Sequence, residues 1–162
     1  MPAIRHLGLA SLAALGLALA APAWAQGPSA GLSGIQSVEV RVEAPPADGT
    51  PCKLDEQSLR NAVIRGLGPN GPKVGTSALT LRLRVTTLFD AIAAKCYSAL
   101  ELTALTQQQV VIQANKAQMV VGIPLWDGTT LAVSPTAEHL DRASAQIAQV
   151  AGKFVADWRA SQ

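Results

Sequence analysis

The sequence predicts an exported α+β protein: a mostly antiparallel sheet of about five strands, ordered strand, helix, four-stranded meander, helix, with the helices packed on it in two layers. Three observations carry this. An amino-terminal apolar run closes on a cleavage pattern. Alternating apolar and polar segments mark strands, and two segments with helical spacing bracket most of them. Two cysteines, Cys52 and Cys96, stand where one bridge would tie the first helix to the sheet.

The chain begins with an address. Arg5 and His6 form a short polar region, Leu7 to Ala23 is an almost unbroken Leu/Ala/Gly run, and Ala23-Trp24-Ala25 has the small-x-small pattern of a signal-peptide cut. The run is short for a membrane span. We expect residues 1–25 to be a signal peptide removed between Ala25 and Gln26, with no membrane span afterwards and, lacking a Cys at the cut, no lipid anchor. Residues 26–34 read as a flexible leader and residues 35–162 as one domain. The expected location is the periplasm, with secretion beyond it left open.

The first strand is Ile35 to Ala44: Val38, Val40 and Val42 face one way, Glu39, Arg41 and Glu43 the other. Pro45-Pro46 ends it. A helix follows from Asp55, a good N-cap, with Leu54 placed to staple onto Leu59. Leu59, Ala62, Val63, Gly66 and Leu67 share its apolar face. Gly68-Pro69-Asn70-Gly71-Pro72 stops it and opens a loop to Ser77.

Leu79 to Asp90 is the clearest strand, with Leu79, Leu81, Leu83, Val85 and Phe89 on one face and Arg82, Arg84 and Thr86 on the other. A bend at Ile92-Ala93 returns the chain as a strand from Lys95 to about Gln113. That register sets Phe89 against Cys96 and Arg84 against Glu101, an opposite-charge pair. Asn115-Lys116 reads as the next turn and Asp127-Gly128 as a two-residue hairpin turn, since both its central residues would need positive φ. Thr129 to Ser134 is then the last strand. Ser134 as N-cap and Pro135 at the first helical position open the final helix. Leu140, Ala143, Ile147, Val150, Ala151, Phe154 and Trp158 trace its buried stripe.

Composition excludes more than it assigns. With 13 Lys+Arg against 11 Asp+Glu and no basic run, nothing points to nucleic acid or an anionic membrane as partner. In an exported chain Cys52 and Cys96 read as one disulfide, the alternative being two buried thiols. Past the signal the only histidine is His139, so a zinc site cannot be assembled and no metal or cofactor is expected. No G-x-S-x-G elbow occurs. The glycine-rich stretch Gly66–Ser77 lacks phosphate-loop spacing and follows a helix rather than a strand. Glu39 and Glu43 share a solvated strand face. No catalytic residue is assigned, and the chain is expected not to be an enzyme.

One pattern exceeds a plain fold. A hairpin at Asn115-Lys116 puts Val110, Ile112, Met119, Val121, Ile123 and Leu125 on the core face. The opposite face then carries Val111, Val120, Pro124 and Trp126, joined across Asp127-Gly128 by Leu131 and Val133. An antiparallel sheet covered on one side should be polar there. Either this face meets a partner or ligand, or the last helix covers it and makes a third layer. Pro124 marks an interruption or an unpaired edge.

The run LWDGTTLAVSPTAEHLDRASAQIAQVAGKFVADW, together with Cys52 and Cys96, resembles small secreted bacterial α+β proteins of uncharacterised families. The resemblance implies an exported domain and no activity. The order of elements is also similar to small envelope-assembly modules, such as the amino-terminal domain of TolB and the plug lipoprotein of lipopolysaccharide export, but lacks the latter's lipidated Cys. The expected function is protein–protein interaction in the envelope, with another envelope protein or a second copy as partner. Two alternatives remain: a binder of an apolar small molecule or lipid held between sheet and helix, and an inhibitor of a secreted enzyme acting through the loops Pro45–Lys53 and Gly68–Ser77.

Overall fold

The computed structural model describes residues 30–43, 51–112, 114 and 116–162. The expected signal peptide and cleavage site lie outside them. The expected leader is described from residue 30 onward, and there Ala30–Leu32 forms a 3₁₀ turn that buries Leu32 in the core.

The strands are β1 (Ser37–Val42), β2 (Lys73–Val74), β3 (Leu79–Asp90), β4 (Lys95–Val111) and β5 (Gln118–Pro135), and the helices α1 (Glu56–Leu67) and α2 (His139–Ala160). They form an α+β fold around one five-stranded mixed sheet, mostly antiparallel, ordered β2-β1-β3-β4-β5. β1 lies parallel to both β2 and β3. This parallel part departs from the expected meander, because alternation marks a strand without giving its direction. The connection from β1 to β3 runs through α1, and a helical crossover brings the chain back in the same direction. β2 is two residues inside what read as a plain loop, too short to show a period.

α1 begins as expected. Asp55 is its N-cap and accepts a 2.7 Å hydrogen bond from the Ser58 N–H, which holds the Asp55 carboxyl below the usual carboxylate range. α1 packs closely on α2 at Gly66, where a Cβ would run into the backbone of Ala148. The β3–β4 register is the expected one, Phe89 opposite Cys96 and Arg84 opposite Glu101. Arg84 Nε donates to Glu43 at 2.9 Å, with Glu101 at 3.9 Å. Cys52 and Cys96 form the disulfide, which fastens the segment before α1 to the start of β4.

The expected four-stranded meander has three strands, because β5 runs straight through Asp127-Gly128. Gly128 is not there to turn the chain. A Cβ at that position would lie 2.6 Å from Trp126 Cη2 and 2.8 Å from Val150, so the glycine makes room for the indole beneath α2. The last helix also starts later than expected. Ser134 and Pro135 end β5, Thr136–Glu138 forms a 3₁₀ turn, and the Ser134 hydroxyl bonds His139 instead of capping a helix.

Both helices pack on one face of the sheet. Val38 and Val40 from β1, Leu81 and Leu83 from β3, and Leu100 and Leu102 from β4 meet Leu59, Val63, Ile147 and Phe154 from the helices in one core. The other face of β1, β3 and β4 carries Glu39, Arg41, Glu43, Arg82, Arg84 and Glu101.

Candidate interaction surface

Trp126 does not belong to the surface the sequence suggested. It is 8% exposed, its ring meets Phe154 edge-on at 5.2 Å, and its Nε1 donates to Asp157 at 2.8 Å, so α2 covers it. A β-bulge explains the change of side. Trp126 pairs with Ala104 and Pro124 with Leu105, which leaves Leu125 as an extra residue. That residue reverses the in-and-out order of β5. From Trp126 to Ser134 the even positions face the core, while from Pro124 back to Val120 they face away from it.

The other five residues of the suggested surface lie on the uncovered face and are exposed: Val111, Val120, Pro124, Leu131 and Val133. They fall into two groups. Leu131 and Val133 sit beside Tyr97 and Ala99 on the outer half of the sheet. Val111 and Val120 belong to an arm. β3 ends its pairing at Leu79 opposite Thr106, yet β4 and β5 stay paired from Gln107–Gly122 to Val111–Gln118. At about 3.4 Å per residue, these five pairs project roughly 17 Å beyond the three-stranded sheet.

The arm carries apolar side chains on both faces, Val111 and Val120 among Gln107, Gln109 and Gln118 on the uncovered one, and Val110, Met119 and Val121 beside Gln108 on the other. Val110, Ile112 and Met119, expected in the core, are 42%, 36% and 49% exposed because neither β3 nor a helix reaches them. Sequence arithmetic could have found this: the register that sets Phe89 against Cys96 runs out at the first residue of β3. The turn expected at Asn115-Lys116 includes residues outside the described set, and Ile112 N–H donates to Ala117 O just inside it. At the foot of the arm, Ile35, Leu79, Thr106 and Leu125 line an open cavity of about 550 Å³.

The buried polar cluster is elsewhere. His139 Nε2 lies 2.7 Å from Ser98 Oγ, His139 Nδ1 lies 2.9 Å from Ser134 Oγ, and Ser98 Oγ lies 2.8 Å from Thr87 Oγ1. A neutral imidazole serves both neighbours, donating from one nitrogen and accepting at the other. Burial holds His139 below the usual imidazole range. The Ser98–His139 pair has the contact of a nucleophile and its base, but neither residue has exposed surface, so no substrate reaches it in this conformation. Sequence periodicity could not find this cluster, since its members come from β3, β4, β5 and the start of α2. Among the described residues no group of three or more His, Cys, Asp or Glu could hold a metal, and no helix is long and apolar enough to cross a membrane. Of the loops suggested for enzyme inhibition, residues 44–50 lie outside the described set, and Gly68–Ser77 contributes β2 to the sheet edge.

No protein-family profile and no curated protein matches the chain. Solved structures similar to it include PelC from Paraburkholderia phytofirmans, a dodecamer in each of two crystal forms. One form is 14% identical, covers 75% of this chain and 89% of that chain, and has a TM-score of 0.49. The other is 16% identical over 72% and 86%, with a TM-score of 0.44. A minor lipoprotein from Acinetobacter baumannii is 16% identical over 77% and 93%, with a TM-score of 0.40.

Proposed function

We propose that the protein is exported to the periplasm and works without chemistry of its own, by binding another envelope protein through the β4–β5 arm. The projecting arm carries this reading. Of the large apolar side chains the domain exposes, Val110, Val111, Ile112, Met119 and Val120 are gathered on this one ribbon. A soluble domain gains no stability from a two-stranded extension with no core behind it, whereas an apolar surface of this kind suits a partner. From Gln107 to Pro124 the chain has no acidic residue and one basic residue, Lys116. The contact it suits is therefore uncharged, with apolar side chains and glutamine amides, rather than ionic.

The test is photocrosslinking in living cells from position 111 or position 120, with adducts identified by mass spectrometry. A discrete protein adduct that disappears in a folded Val110→Lys variant supports the reading. Absence of any protein adduct from both positions refutes it.

A second reading rests on the cavity at the foot of the arm, whose Ile35, Leu79 and Leu125 walls suit an apolar ligand. Native mass spectrometry of the purified protein would show bound lipid or small molecule as a discrete added mass. Its absence, together with no shift in melting temperature on adding fatty acid, would sink this reading.

A further inference from the structure

We infer that the protein forms a two-fold dimer by antiparallel pairing of β5 edges, with Leu131 opposite its own copy. This surface is distinct from the arm, and the inference stands or falls without the arm's partner.

β5 is the outer strand of the sheet, so one side of its backbone has no neighbouring strand among the described residues. Natural proteins blunt such edges with charge, proline or a bulge. β5 has prolines at Pro124 and at its last residue, Pro135, and its bulge at Leu125, which blunt the arm end and the strand's terminus but leave the stretch between them open. From Gly128 to Ser134 the strand has no charge, proline or bulge. Its sequence there, GTTLAVS, includes the β-branched Thr129, Thr130 and Val133.

This stretch is also the stiffer part of the edge. Ala132 is fully buried, Ser134 bonds His139, and Thr130 Oγ1 donates to Gln146 of α2 at 3.0 Å. A strand held straight by the helix beneath it loses little freedom on pairing, whereas the arm rests on a single neighbour and would lose more.

A second copy is the occupant that the charges favour. A two-fold axis sets each residue near its own kind, so any charge close to it meets a like charge. No residue from Gly128 to Thr136 is charged. With Leu131 on the axis, Thr129 pairs with Val133 of the other copy, so two β-branched side chains lie directly opposite each other. Asp127, the only charged residue of β5, falls opposite Pro135 of the other copy. Pro135 in turn pairs with Lys95 in its own sheet. Asp127 therefore stands two strands, about 10 Å, from Lys95 on the same face, within reach of a lysine side chain. The exposed Leu131 then meets its own copy and the exposed Val133 meets Thr129 of the other copy, and two five-stranded sheets become one of ten strands.

The test uses sedimentation equilibrium of the full mature protein at micromolar concentration, with circular dichroism as the check on folding. The wild type is expected at twice the chain mass. Leu131→Lys, a change at an exposed side chain, is expected to halve that mass with the spectrum unchanged, while Val120→Lys on the arm leaves it at the dimer. Register is read with a short bis-maleimide. Leu131→Cys cross-links to its own copy several-fold faster than Thr129→Cys. A monomeric wild type, a dimer that survives Leu131→Lys, a dimer lost in Val120→Lys, or faster cross-linking from position 129 each overturns the inference. Loss of the arm's photocrosslinks with the dimer intact would refute the functional reading and leave this one standing.

Discussion

Replacing Trp126 with alanine tests whether the indole belongs to the core or to a surface. The change removes a ring packed edge-on against Phe154 at 5.2 Å and a 2.8 Å hydrogen bond to Asp157. Truncating a buried Trp to Ala typically costs about 3–5 kcal/mol through lost transfer energy and the cavity left behind. Aromatic pairing accounts for about 0.5–1.5 kcal/mol beyond buried area, and a hydrogen bond to a charged group for about 1.5–3 kcal/mol. The residue is 8% exposed and Asp157 is half-buried, so solvent weakens the hydrogen bond and the lower half of each range applies. We expect about 3–4 kcal/mol, a large share of the roughly 5–15 kcal/mol that holds a domain of this size. Trp126→Phe keeps most of the packing, loses the hydrogen bond and should cost about 1–2 kcal/mol. The assay is urea unfolding followed by circular dichroism with the disulfide intact. A Trp126→Ala loss below about 1 kcal/mol, the size seen at ordinary surface positions, would refute the placement of Trp126 beneath α2.

Three further outcomes follow from the same structure. Replacing both Cys52 and Cys96 with serine opens a loop of 44 residues and should lower stability by up to roughly 4 kcal/mol on a chain-entropy basis, read as a reduced urea midpoint. His139 is buried and neutral and its pKa is lowered, so the unfolded chain takes up a proton that the folded chain refuses. Stability should therefore be full above about pH 6.5 and fall as pH drops below it, and His139→Gln should flatten the curve between about pH 5 and 7. A His139→Gln curve as steep as the wild type's would contradict the burial argument. Gly128→Ala should destabilise the domain by about 1–3 kcal/mol, since its Cβ would crowd Trp126 and Val150, and calorimetry would show a lower melting temperature.

Local chemistry decided some features on its own. Asp55 caps α1 because its carboxylate and the free N–H groups of the first turn are neighbours in sequence. The β3–β4 register follows from a short bend and one pair of opposite charges, both visible in the residues. The cysteine pairing had only two candidates to choose from, Cys52 and Cys96.

Other features depend on residues far apart. Trp126 changed sides because one extra residue, Leu125, bulges from β5, and a period of two has no memory of where it slips. Gly128 looked like a turn because glycine signals both positive φ and close approach, and only the indole and Val150 above it say which applies. Val110, Ile112 and Met119 looked like core because their side chains are apolar, but burial also requires something to lie against them, and β3 stops at Leu79. What this sequence determined by itself was composition, the α1 cap, most strand and helix segments and the β3–β4 register, set by short-range chemistry, and the one disulfide, set by there being two cysteines. The tertiary structure alone decided which face of β5 is covered, where the sheet stops and which apolar residues remain in water, because each depends on the lengths and positions of separate elements.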